Sequence, residues 1–205
     1  MRVLAIECAT EACSAALFDG LQLVDGHCEV LGRGHAERLV PLIAELPEKG
    51  RADRILVSLG PGSFTGVRIG LATARALGLA WRAEVLGYPT LELVRARACE
   101  NERRAVTVCM NGGHGEYFLQ NFDADGVADS KVLSLKPEEA AKAARHEVIV
   151  GNRAEELAKL LCDERLALSL LPDAIYANLL PETRFTRDLT PIYGRGPDAR
   201  PQVRA

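Results

Sequence analysis

The run Gly60-Pro61-Gly62-Ser63-Phe64-Thr65-Gly66-Val67-Arg68 limits what this chain can fold into more than any other stretch. Ahead of it, Arg54-Ile55-Leu56-Val57-Ser58-Leu59 is a short apolar run of the kind that makes a buried strand. Behind it, Thr65 to Trp81 predicts a helix crowded with glycine and alanine. A glycine inside a helix costs about 1 kcal/mol relative to alanine, and Gly70 and Gly78 both fall in the helix interior. Something must approach that helix closely enough to offset the cost. Gly66, Gly70, Ala74 and Gly78 recur every four residues and form one ridge without side chains, against which another backbone can lie. The spacing fits this chain's own sheet or first helix as well as it fits a second molecule. Arg68, Arg75 and Arg82 recur every seven residues and predict a separate seam, solvated or facing a partner.

With 205 residues, the chain is long enough to bury a real core in one large domain or two small ones. Its 48% hydrophobic and 26% charged residues are those of a soluble globular protein. A net charge of −3 gives no case for nucleic-acid binding through a basic surface. Val3-Leu4-Ala5-Ile6 is cut off by Glu7, and Ile69 to Trp81 is short and carries Arg75, so neither a signal peptide nor a membrane span is expected. Cytoplasmic location is the expectation. The six cysteines are scattered without a C-x-x-C pair, which predicts small buried side chains in a reducing compartment. The four histidines show no metal-binding spacing, and no metal site is expected.

In order, strands are predicted at Val3–Ile6, Cys13–Phe18 and Leu21–Val30, with the hairpin signal Asp19-Gly20 between the last two. An amphipathic helix follows at His35–Leu46, then the strand at Ile55, the glycine-rich helix, a short strand at Val85-Leu86 and a helix from Thr90. After the charged break Asn101–Arg104 the same series starts again: strands at Ala105–Met110, Glu116–Phe122 and Val132–Leu135, with Asp125-Gly126 repeating the turn signal. A helix from Pro137, a strand at Glu147–Val150 and a helix at Ala154–Leu161 complete it. Ala174–Leu180 predicts a last helix, and the Gly-, Pro- and Arg-rich segment from about 193 a loosely held tail. The reading is an α/β protein of two lobes with mixed sheets, a duplicated βββαβα unit divided into 1–100 and 104–205. That order resembles the actin and sugar-kinase fold, of ribonuclease H-like type, and such a likeness alone does not give function.

The glycine-rich loop suggests two readings: a tight turn in which Ser63 or Thr65 caps the helix, or an anion site at a helix N-terminus. It lacks the lysine of a phosphate loop and the spacing of a dinucleotide fingerprint. Candidate anion or nucleotide contacts are Glu7, Thr10, Gly62 and Ser63. Glu7 is the acid at the end of the first strand and is expected to be solvated. No serine lies in a nucleophile elbow, and no cysteine lies near a histidine in sequence, so no catalytic residue is assigned.

Leu4-Ala5-Ile6-Glu7-Cys8-Ala9-Thr10-Glu11-Ala12-Cys13-Ser14 resembles LAIDTSTEACS, the opening of the TsaB (YeaZ) family. His35 to Ile43 is similar to that family's H-S-x-x-L-x-P-x-I helix, and Gly60 to Arg68 matches its GPGSFTGVR signature throughout. The likeness is good over residues 1–95 and looser beyond. Asn111 to Tyr117 departs from the family's D-A-R-x-G-E-V-Y, and Gly194 replaces leucine in its terminal P-x-Y-L-R. The resemblance implies a non-catalytic scaffold in an actin-like fold. Such a subunit pairs with a TsaD-like catalytic subunit and a TsaE-like ATPase to install the threonylcarbamoyl group on adenosine 37 of tRNA, touching tRNA only indirectly. It implies pairing through the first-lobe helices, homodimers in the partners' absence, and no cofactor unless ATP or ADP sits at a subunit interface. On that basis His35, Leu39, Leu42, Gly66, Arg68, Gly70, Ala74 and Gly78 are the expected interface. Leu39 stands where a metal-binding relative would have a second histidine. The competing readings are an enzyme of the same fold, either an ATP-dependent phosphotransferase or a metallopeptidase-like hydrolase, and a stand-alone homodimeric binding protein.

Overall fold

The structure is a computed structural model, and it describes residues 1–161 and 164–194. Two five-stranded sheets repeat one topology. In the first, β1 (Arg2–Glu7), β2 (Ala12–Asp19), β3 (Gln22–Val30), β4 (Arg54–Ser58) and β5 (Glu84–Tyr88) lie in the order β3-β2-β1-β4-β5. In the second, β6 (Val106–Gly113), β7 (Glu116–Phe122), β8 (Leu133–Leu135), β9 (Val148–Val150) and β10 (Leu166–Leu168) lie in the order β8-β7-β6-β9-β10. Each sheet joins its first three strands antiparallel and its last two parallel. A parallel partner needs a crossover. The first lobe uses α1 (His35–Glu45) and α2 (Phe64–Trp81), and the second uses α4 (Pro137–Ala143) and α5 (Ala154–Leu161). The duplicated mixed-sheet architecture expected from the sequence is present. β10 (Leu166–Leu168) is a strand that the sequence reading did not predict.

Strand alternation divides the first lobe's core. Leu4, Ile6 and Cys8 pack with Cys13, Leu39, Leu42, Val67, Leu71 and Ala74 beneath α1 and α2. Val3 and Ala5 face the other way, into a cluster with Phe18, Tyr88, Leu93 and Ala96. That second layer is built partly by α3 (Thr90–Ala98), which is buried on two sides. Its Leu93 and Ala96 pack on the first sheet, while Leu91 and Val94 pack on Val106, Val108, Phe118 and Val150 of the second. A helix apolar on opposite faces has no solvent face to choose, so α3 joins the lobes.

The C-terminal segment does not stay with the second lobe. Ala174–Leu179 forms a 3-10 turn rather than an α-helix, and Ala174, Ala177 and Leu180 complete the cluster under the first sheet. The Ser14 hydroxyl, on β2, accepts from the backbone N–H of Ala174 (2.9 Å). Thr186 bridges to Gly87 on β5, and Ile192 N–H donates to the Leu59 carbonyl (2.7 Å). Among residues 104–205, therefore, 173–193 pack chiefly on the first lobe, covering an apolar face of its sheet, with Arg184 reaching the Gly126 carbonyl and Gly194 reaching Phe118 of the second. Tyr193 and Gly194, expected in a loose tail, are packed on α2 and Phe118 respectively. Arg195 and Cys162 lie outside the described residues. Among the described residues no helix is long and apolar enough to cross a membrane.

Candidate functional site

Two surfaces of the first lobe carry features that the core does not explain: the cleft between the lobes, and the outer face of α1 and α2. The cleft has a volume of about 1030 Å³. Its first-lobe wall is the turn Ala9-Thr10-Glu11 and the start of α2 from Gly62 to Thr65, and its second-lobe wall includes Asn111–His114 and Asn152. Of the four candidate anion contacts, Thr10, Gly62 and Ser63 line it. Glu7 does not.

Glu7 is fully buried on the opposite side of the sheet, and its expected solvation is corrected accordingly. One carboxylate oxygen accepts from the Ala9 N–H (2.7 Å) and the Ser58 hydroxyl (2.8 Å), while the other has no hydrogen-bond partner. Burial pushes its carboxyl up to about 7, against the pull of the Ala9 N–H and the Ser58 and Tyr88 hydroxyls. Sheet alternation is the reason: Ile6 and Cys8 point toward α2, so Glu7 between them points away.

The glycine-rich loop is explained by close approach to its own chain. A Cβ on Gly62 would overlap the Ala9 carbonyl, and one on Gly66 would overlap the Cys8 carbonyl. Ser63 N–H donates to the Ala9 carbonyl (2.6 Å), and the Ser63 hydroxyl accepts from the Gly66 N–H (3.2 Å) as the N-cap of α2. The loop spends these donors on strand β1 and on its own helix. Glu11, the acid in the cleft wall, is held across the lobes by the Asn152 amide (3.0 and 3.2 Å to its two oxygens). Among the described residues no lysine lines the cleft. Among the described residues no group of three or more His, Cys, Asp or Glu side chains is placed to hold a metal ion.

The ridge of α2 also turns inward. Gly66, Gly70, Ala74 and Gly78 are buried. A Cβ on Gly70 would rest 3.5 Å from Val57 and 3.6 Å from Cys8, and one on Gly78 would run into Val85. In α1, His35, Leu39 and Leu42 are buried as well. The His35 ring Nε2 lies 2.9 Å from the Thr10 carbonyl and 3.2 Å from that of Ala12, pinning the β1–β2 turn. Of the eight residues expected at an interface, seven therefore face this chain's own sheet, which takes the i, i+4, i+7 stripe of each helix. Arg68 alone is exposed, and the arginine seam is partly spoken for. Arg68 lies 3.5 Å over the Phe64 ring and donates to the Tyr193 hydroxyl (3.1 Å), and Arg75 donates to the Leu189 carbonyl (3.2 Å). The strap formed by the chain's last described residues runs along that seam.

Apolar residues are exposed on these helices beside the charged Glu37, Glu45, Arg75 and Arg82. Leu79 is 85% exposed and Val40 54% exposed. Between α1 and α2 lies a groove of about 240 Å³ lined by Val40, Ile43, Ala44, Leu77, Trp81 and Lys49. The sequence reading missed both the groove and a second small or apolar stripe on α2, Ile69, Ala72, Ala76 and Leu79, which lies opposite the glycine ridge and on the far side of the helix from Leu77 and Trp81.

The repeated sheets, the crossover helices and the cleft between lobes define an actin-like, duplicated α/β protein. The family model "TsaD: tRNA N6-adenosine threonylcarbamoyltransferase" matches residues 27–170. The Escherichia coli K12 protein "tRNA threonylcarbamoyladenosine biosynthesis protein TsaB" is 35% identical over 149 residues, 67% of this chain and 64% of its own length. The Haemophilus influenzae protein of the same name is 37% identical over 98 residues, 45% of this chain and 40% of its own. The chain thus spans less than two thirds of the length of these curated relatives. A Pseudomonas aeruginosa crystal structure, described as an uncharacterized protein with similarity to peptidase YEAZ, superposes with a TM-score of 0.78 at 26% identity. It covers 95% of this chain and 99% of that one. The chain belongs to the family this model describes, and these likenesses place it with the TsaB (YeaZ) proteins of that family.

Proposed function

We propose that this chain is a non-catalytic subunit of the machinery that forms threonylcarbamoyladenosine in tRNA, and that it holds a TsaD-like catalytic subunit on the outer face of α1 and α2. The single observation that carries this reading is the apolar groove between those helices, open to solvent at the 54% exposed Val40. A furrow of Val40, Ile43, Leu77 and Trp81 left open to water is the composition of an interface core. The likeness to proteins named for threonylcarbamoyladenosine biosynthesis supplies the pathway. The titratable side chains of the first lobe support a subunit without a reaction of its own: Glu7 is sequestered away from the cleft, Glu11 in the cleft wall is occupied by Asn152, and His35 is spent on backbone carbonyls. In this reading the chain works in the cytoplasm and closes on a second copy through the same face when partners are absent. It meets tRNA only through its complex and carries no cofactor of its own unless ATP or ADP sits at a subunit interface.

Reconstitution tests it. The chain is combined with TsaD-like, TsaE-like and carbamoyladenylate-forming proteins, and modified adenosine in tRNA is measured. Product should depend on the chain, and equal product without it overturns the reading. Val40→Asp, in the wall of the groove, should keep the circular dichroism spectrum and melting temperature while weakening association with the TsaD-like subunit by roughly tenfold or more, as expected for a central apolar contact. Unchanged affinity would move the interface elsewhere.

A further inference from the structure

Beneath the turn that forms the cleft wall sit two thiols that the proposed function does not use. Cys8 follows β1 directly and Cys13 lies in β2. Because Glu7 pairs with Ser14, Cys8 and Cys13 are next in the same antiparallel register. Directly opposed residues stand about 4.5 or 5.5 Å apart at Cα, and both spacings fall in the range a disulfide spans. Their sulfurs are 3.6 Å apart, both side chains are buried, and both belong to the core layer under α1 and α2. We propose that Cys8 and Cys13 are an oxidation site: a peroxide converts them to an intramolecular disulfide that staples the end of β1 to β2.

Either thiol can donate in the thiol–thiol hydrogen bond; with Cys8 donating, the bond holds Cys8 protonated and draws the Cys13 thiol down, which leaves Cys13 as the nucleophile. Its thiolate attacks one oxygen of hydrogen peroxide, the O–O bond breaks, and Cys13 becomes a sulfenic acid as the leaving hydroxide takes a proton. The Cys8 sulfur then attacks the Cys13 sulfur, the S–O bond breaks, and the Cys8 proton leaves with the departing hydroxyl as water. In sum, two thiols and one peroxide give one disulfide and two waters. Access runs through the turn Ala9-Thr10-Glu11, the only chain between the two cysteines besides Ala12, and one whose outer side faces the cleft. His35, against the carbonyls of Thr10 and Ala12, is the pin that this opening releases. The bond would also bear on α2, since Gly66 rests on the Cys8 carbonyl and the backbone of Gly70 on the Cys8 side chain.

The test uses the full chain, folded, treated with hydrogen peroxide, alkylated, digested and mapped by mass spectrometry. Exposed Cys28 serves as the internal control. The expected result is a linked Cys8–Cys13 peptide lighter by two hydrogens. Most of both free thiols should be lost, and the crosslink should be absent in Cys13→Ser. The proposal is overturned if Cys28 is oxidised while Cys8 and Cys13 are recovered alkylated. It is equally overturned if Cys13 is found joined to any other cysteine. Because the mapping is made on the unaltered chain, it does not depend on whether a variant folds.

Discussion

The two lobes solve one packing problem with different amounts of chain. In each, the segment after the fourth strand must lie against a backbone carbonyl of the first strand or just past its end. In the first lobe Gly62 and Gly66 rest on the carbonyls of Ala9 and Cys8, and in the second Gly151 rests on that of Cys109. The second lobe makes this approach in the single turn Gly151-Asn152-Arg153 and follows it with a helix of 8 residues. The first spends the loop Gly60 to Ser63 and the opening turn of α2, a helix of 18, on it. The shared glycine contact is therefore a structural property of the duplicated unit. The surplus length of α2 is what gives the first lobe a second, outward face. One residue before the shared carbonyl the lobes differ again, with buried Glu7 in the first and buried Val108 in the second.

Breaking the shared contact should have the largest effect. Gly66→Ala and Gly151→Ala should each cost about 3 kcal/mol, because the added Cβ meets a backbone carbonyl that has no rotamer in which to escape. Gly151 adds a φ of +121° that alanine rarely adopts. Urea unfolding of both variants measures this, and a large loss in one lobe alone would show that the contacts are not equivalent.

Replacing the acid that the second lobe lacks comes next. Glu7 carries a carboxyl raised to about 7 in the folded chain against 4.5 in the unfolded one. The native state therefore holds a proton that the unfolded state releases. That contribution is fully present below the unfolded value and is lost as pH rises through 7. Wild-type stability should fall between pH 5 and 8 by an amount on the order of 3 kcal/mol. Glu7→Gln should flatten this slope, since its amide oxygen can still accept from Ala9 and Ser58. A wild-type curve with no such fall would mean that the site is less desolvated than its burial indicates.

The smallest effect sharpens the picture of α2. Gly70→Ala places a Cβ at ordinary contact distance, 3.5 to 3.8 Å from Val57, Cys8 and Ile6. It should stabilise the chain by about 0.5–1 kcal/mol through helix propensity, seen as a higher melting temperature. Gly70→Leu would overpack the same neighbours and lower stability instead. It would not act by removing a partner contact.

Much of this molecule was legible in one dimension. Turn signals at Asp19-Gly20 and Asp125-Gly126, alternating apolar runs and the repeat of strand and helix types predict two copies of one unit, because those patterns arise from local backbone geometry and periodicity. The GPGSFTGVR run carries the family likeness for the same reason: a loop forced against a strand end tolerates few residues. Sidedness was not legible. A ridge repeating every four residues states that something lies close, but not whether it is the chain's own β1 and β4 or a partner. Only the seating of α2 on Cys8, Val57 and Val85 decides that. An acid at a strand end reads as solvated until the alternation of β1 and the return of residues 173–193 put it under a sealed layer. Burial depends on which distant segments come to cover a face, and the sequence around Glu7 holds no trace of them. The sequence alone determined the repeat and the close approach; the tertiary structure decided which way each face points, and so which surface is left for a partner.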